Sequence, residues 1–113
     1  MNTKQQKLEA FSKLLDIMDD LREKCPWDKK QDLQSLRPLT LEEVYELSDA
    51  ILVEDLTEIK KELGDVLLHL VFYSKIGSEK NAFDIADVIN SLNEKLIFRH
   101  PHIYGDVKVK NEE

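Results

Sequence analysis

The sequence has 113 residues, 42% hydrophobic and 35% charged, with a formal charge of −7 and a pI of about 5.0. This size suits one domain over 1–113 with a modest core, and the acidic balance leaves no basic stripe for a nucleic-acid polymer. No run of about 18 apolar residues exists to span a membrane, no apolar stretch follows the N-terminal lysines to make a secretory signal, and a lone cysteine, Cys25, cannot form an internal disulfide. These features read as a cytoplasmic chain.

Residues 5–22 carry Leu8, Phe11, Leu14, Leu15, Met18 and Leu21 at three-to-four spacing, the stripe of a first helix with one buried face. "KCPWDKKQD" breaks it, with Pro26 as the stop, and "LQSLRP" makes a short turn of helix before Pro38. A second helix is predicted from Thr40, where "TLEE" reads as a capping box of Thr40 and Glu43, to near Val53. Asp55 or Thr57 caps a third, which stops near Gly77 or soon after; its almost wholly apolar middle, Val66 to Tyr73, belongs at the centre of the fold. Asp84 caps a fourth helix, "IADVINSLNEKLIFRH", which Pro101 closes, and the tail 104–113 reads as disordered or truncated.

The expected fold is therefore an all-α bundle of about four main helices with no strand pair. A helix that is apolar around most of its girth needs partners on several sides. In so short a chain a second copy can supply some of them, as a homodimer or higher oligomer.

Acids interrupt this apolar pattern. Glu43 and Glu46 lie three apart on the second helix, with Asp49 continuing the line, and Glu62 and Asp65 lie three apart on the third. Residues i and i+3 share a helix face, so antiparallel packing across a short connection can bring both pairs together. Four carboxylates tolerate one another only around cations, and hard oxygen ligands suit Mg²⁺ or Mn²⁺. Such pairs are also common on solvated faces, and Glu43 has a competing use in the capping box. A di-iron site wants Glu-x-x-His pairs; the residues three before His69, His100 and His102 are Val66, Ile97 and Arg99, which sets that reading aside.

The segments "CPWDKKQDLQSLRPLTLEEVYELSDAI", "ELGDVLLHLVFYSKI" and "FDIADVINSLNEKLIFRHPHIYGD" resemble, in order and spacing, the MazG nucleotide pyrophosphohydrolase domain over about residues 8 to 107. The family's Glu-x-x-Glu and Glu-x-x-Asp pattern falls on Glu43, Glu46, Glu62 and Asp65. The resemblance implies an all-α homodimer or higher oligomer. It also implies Mg²⁺-dependent cleavage of a nucleoside triphosphate between its α and β phosphates, giving a monophosphate and pyrophosphate. A role in clearing aberrant or excess nucleotides comes with the family.

The four acids would hold the ions, and Glu46 or Glu43 would accept the proton of the attacking water. Lys95 and Arg99, four apart on the fourth helix, are placed by the resemblance against the phosphates, where a guanidinium fork grips two oxygens and an ammonium adds a point charge. Asn93 and Asn90 lie nearby. Trp27 can stack on a base or pack its loop onto the core, and Arg37 can reach a phosphate or cap a helix end. Cys25 and "HPH" read as structural. Longer family members continue into a final helix bearing a tryptophan and a lysine that help hold the nucleotide; the sequence here stops at "VKVKNEE", as a naturally short form or a truncated one. The rival class is non-catalytic: a nucleotide-sensing or helical oligomerisation module that keeps the site without turnover.

Overall fold

Thr3 starts the first helix, α1 (Lys4–Lys24), with a reciprocal cap: its hydroxyl accepts from the Gln6 N–H at 3.1 Å, and the Gln6 side chain accepts from the Thr3 N–H at 2.8 Å. The structure, a computed structural model, describes residues 1–105; the greater part of the expected tail, 106–113, lies outside the described residues. Pro26 disfavours helical backbone in the residue before it, and α1 ends there. The same proline then opens a short helix, α2 (Pro26–Lys29), because its missing N–H is no loss at the first helical position. The sequence reading had only the stop.

The third helix, α3 (Leu33–Leu52), corrects a second boundary. It begins seven residues before Thr40 and runs through Pro38. Its cap is Asp32, whose carboxylate accepts from the Ser35 N–H at 2.8 Å while the Ser35 hydroxyl accepts from the Asp32 N–H at 2.8 Å. Pro38 loses one helical hydrogen bond and crowds the preceding turn. That turn is nonetheless held from outside the helix, because Leu36 is buried in the core. Thr40 is thus an interior residue, not a cap.

Helix α4 (Leu56–Glu79) is capped by Asp55, one of the two caps the sequence offers, and helix α5 (Ile85–Arg99) by Asp84, as the sequence predicts. The all-α expectation holds, with no strand among the described residues and α2 added to the four main helices. Among the described residues no helix is long and apolar enough to cross a membrane.

Helices α3 and α4 form an antiparallel hairpin, the most extensive packing in the chain, joined through Val53, Glu54 and Asp55. The core lies at the far end of that hairpin from the turn: Met18 of α1 meets Leu36 of α3 and Val71, Phe72 and Ile76 of α4. Phe11, Leu14, Leu15 and Tyr73 pack around it. Arg22 fastens this end. Its guanidinium forks onto Glu79 at 2.8 and 2.9 Å, donates to the carbonyls of Asp28, Lys29 and Gln31, and sits over the Phe72 ring.

The expected central run of α4 is only partly central. Val71 and Phe72 are buried, while Leu67, Leu68 and Leu70 remain exposed. Helix α5 buries no residue and touches α4 alone among the helices. The radius of gyration, 16.8 Å, exceeds the roughly 13 Å of a compact domain of this length.

Candidate metal centre

Between the core and the hairpin turn, the seam of α3 and α4 becomes acidic. Glu43 on α3 faces Glu62 and Asp65 on α4, and one oxygen from each lies within 4.8 Å of the other two. The helical period explains the meeting: Glu43 follows the buried Leu36 by seven residues, so it stays on the side of α3 that faces α4. Glu62 is 5% exposed, a rare state for a glutamate unless something compensates its charge. Glu43 Oε1 and Glu62 Oε1 are both buried and lack any hydrogen-bond partner. Buried acceptors without partners are costly, by about 1–3 kcal/mol each and more when charged.

Burial chiefly, and then the neighbouring charges of Glu46, Asp65 and Glu62, push the Glu43 carboxyl above its ordinary value. The nearest countercharge is Lys61, whose ammonium lies 3.4 Å from Glu62 Oε2 but remains well exposed. The donor set is all oxygen, partly dehydrated, and under mutual repulsion. A hard divalent cation fits those three conditions, and the orphaned oxygens are the atoms it would satisfy.

One turn further along the seam lies a group that sequence reasoning missed. The Thr40 hydroxyl lies 2.5 Å from His69 Nδ1, 2.5 Å from the Tyr73 hydroxyl and 3.1 Å from the Leu36 carbonyl. His69 is buried, and burial pushes its imidazole below the usual histidine range against the opposing pull of Asp65. A signal was present: His69 follows Asp65 by four and Tyr73 follows His69 by four, so all three share a face of α4.

Of the predicted metal residues, Glu43, Glu62 and Asp65 come together. Glu46 is exposed on the margin, close enough to act on Glu43 but outside the 4.8 Å set. Lys95, Arg99 and Asn93 sit exposed on α5, and no hydrogen bond or ion pair among the described residues ties them to the carboxylates. Trp27 projects from α2, 67% exposed. Arg37 lies on the exposed side of α3.

Comparison with known proteins bears on this arrangement. The family model of the MazG nucleotide pyrophosphohydrolase domain matches residues 31–104, which include all of α3, α4 and α5. The chain is 53% identical over 98 residues to the nucleoside triphosphate pyrophosphohydrolase/pyrophosphatase MazG of Thermotoga maritima, covering 85% of this chain and 38% of that protein. It is 41% identical over 107 residues to the nucleoside triphosphate pyrophosphohydrolase of Escherichia coli K12, covering 92% of this chain and 41% of that one. The chain thus spans about two fifths of the length of these two curated relatives. A crystal structure of a mazG-related protein from Thermotoga maritima superposes with a TM-score of 0.73 at 25% identity, over 88% of this chain and 87% of the other. With a matched model that covers well over half of its length, the chain belongs to the MazG nucleotide pyrophosphohydrolase domain family.

Proposed function

We propose that this domain hydrolyses a nucleoside triphosphate, ribo- or deoxyribo-, to the monophosphate and pyrophosphate, with Mg²⁺ as its natural cofactor and Mn²⁺ as a substitute. The observation that carries the reading is the pair of buried, unpartnered carboxylate oxygens of Glu43 and Glu62, facing one another across two helices beside Asp65. A divalent cation bound there would neutralise phosphate oxygens and lower the pKa of a water.

The chain's own residues then have distinct tasks. Glu62, Asp65 and Glu43 hold the cation. Glu46, exposed at the margin, is free to take a proton from water; Glu43, beside it on the same face of α3, is the other candidate for that role. Lys95 and Arg99 have no ion-pair partner among the described residues, so their charges are available to a polyphosphate. Asn93 and Arg37 add polar contacts. The exposed ring of Trp27 can stack on a base.

Self-association belongs to the same proposal. On α3, Leu41, Val44, Tyr45 and Leu52 are exposed on the side away from α4, and on α4 Leu56, Leu63 and Leu70 are exposed likewise. Exposed apolar side chains in this number suit an interaction surface, and a second copy of the same chain is the partner we propose. We also propose that the protein acts in the cytoplasm and clears aberrant or excess nucleotides.

A thermal-shift titration tests the metal reading. Mg²⁺ or Mn²⁺ should raise Tm of the wild-type protein, since a ligand bound only by the folded state must stabilise it, and Glu62→Ala should abolish that rise. An equal rise in the variant would remove the site. Light scattering across protein concentrations tests self-association; a mass of one chain throughout would reject it.

A further inference from the structure

We infer that Thr40 is a positioning residue for the metal centre: through His69 and Tyr73 it fixes the register of α3 against α4, so that Glu43 is held opposite Glu62 and Asp65. The inference rests on the metal-site reading above and adds a device to it.

The first ground is placement. Thr40 precedes Glu43 by three residues and His69 follows Asp65 by four, so the polar triangle lies one helical turn from the carboxylates on the same seam. The second ground is that its contacts are the only side-chain hydrogen bonds between α3 and α4 among the described residues. Apolar packing lets a helix slide or rotate slightly with little loss, whereas a hydrogen bond weakens steeply with misalignment. The third ground is need. Three acids within 4.8 Å repel one another, so their charges oppose close packing of the helices at this level, and an adjacent restraint offsets that repulsion.

The hydrogen-bond inventory permits full satisfaction of the triangle. A hydroxyl has one donor and two acceptor positions. With Thr40 donating to the Leu36 carbonyl, its oxygen accepts from the Tyr73 O–H and from His69 Nδ1–H. Threonine alone combines that hydroxyl with its β-branched shape. Serine keeps the hydroxyl, while valine keeps the shape and loses all three contacts.

Mn²⁺ affinity, measured by calorimetry well below the melting temperature, tests this on four proteins: wild type, Thr40→Val, Thr40→Ser and Glu62→Gln. Residues that orient metal ligands from behind typically change affinity ten- to a hundredfold. The expected result is a dissociation constant about tenfold or more higher in Thr40→Val, largely recovered by Thr40→Ser. A merely structural role would lower Tm in Thr40→Val and leave its Mn²⁺ affinity at the wild-type value, which would overturn the inference. Should Thr40→Val not fold, Tyr73→Phe, which removes one hydroxyl from the same node, takes its place under the same criteria. Glu62→Gln separates the two readings. If it binds Mn²⁺ like the wild type, the metal site itself is wrong and the inference falls with it. If it loses binding while Thr40→Val does not, the positioning role alone is wrong.

Discussion

Glu43→Gln should stabilise the metal-free protein and at the same time remove its response to Mg²⁺. Glu43 shares a 4.8 Å neighbourhood with Glu62 and Asp65. Two unit charges at that separation repel by about 0.9 kcal/mol in bulk water and about 3.5 kcal/mol at the effective dielectric of a protein surface. Neutralising Glu43 removes two such terms. Salt screening, relaxation of the side chains and the nearby Lys61 ammonium reduce the gain, and we expect about 1–2 kcal/mol at pH 7. For a domain of this size that raises Tm by roughly 4–12 °C.

The pH dependence gives an independent reading. Glu43 is pushed above its ordinary value in the folded state, so between the two values the folded protein holds a proton that the unfolded chain has released. Stability therefore falls as pH rises through that window, and the loss is complete above the folded value. The difference in stability between Glu43→Gln and wild type should grow from near zero at acid pH to its full size at neutrality. The assay is thermal melting at fixed protein concentration in EDTA and in Mg²⁺, from pH 4.5 to 7.5. Lower stability of the variant in EDTA at pH 7 would refute the reasoning, because Glu43 would then be making favourable contacts without a metal.

Arg22→Ala should lower stability by about 2–4 kcal/mol in urea melts, because it strips the Glu79 fork and takes from the Gln31 carbonyl its guanidinium donor. Lysine should recover only part of this, since an ammonium cannot reproduce the fork. The Glu79 carboxyl is held below its ordinary value, first by its hydrogen bond from Arg22. Its contribution is therefore present above the unfolded value and lost as pH falls through the folded one, the opposite sign to Glu43. Gly77→Ala should destabilise by about 1–3 kcal/mol, since its Cβ would meet the Phe83 ring at 2.6 Å. Gly64→Ala, with nothing within 4 Å, should stabilise the single chain by up to about 1 kcal/mol through helix propensity. Glu54, at φ 55 in the turn between α3 and α4, adopts a conformation that favours glycine or asparagine. Glu54→Gly should raise stability by about 1 kcal/mol in chemical denaturation.

Much of the fold and the centre of the site could be read from local rules. Asp55 and Asp84 cap helices through hydrogen bonds to residues three positions ahead, so their effect is written in four residues of sequence. Glu43, Glu62 and Asp65 were legible because i, i+3 spacing fixes a face and a short turn fixes antiparallel packing. Pro38 and Thr40 misled because local rules met a tertiary override. Leu36 is held in the core and Asp32 caps upstream, so α3 tolerates the proline. Thr40 has the sequence context of a cap, but its hydroxyl is engaged by His69 and Tyr73, residues about thirty positions away. No local pattern reports such a partner. The exposed leucines of α4 show the same limit: periodicity shows that a face is apolar, not whether the same chain covers it.

The most direct test is a product assay. Wild type and Glu62→Ala are incubated with Mg²⁺ and a panel of ribo- and deoxyribonucleoside triphosphates, and the products are resolved by anion exchange. The expected result is monophosphate and pyrophosphate from the wild type, and none above background from a Glu62→Ala protein that retains its helical spectrum. Diphosphate and phosphate as products, or undiminished turnover in Glu62→Ala, would contradict the assignment of the Glu43–Glu62–Asp65 centre to cleavage between the α and β phosphates.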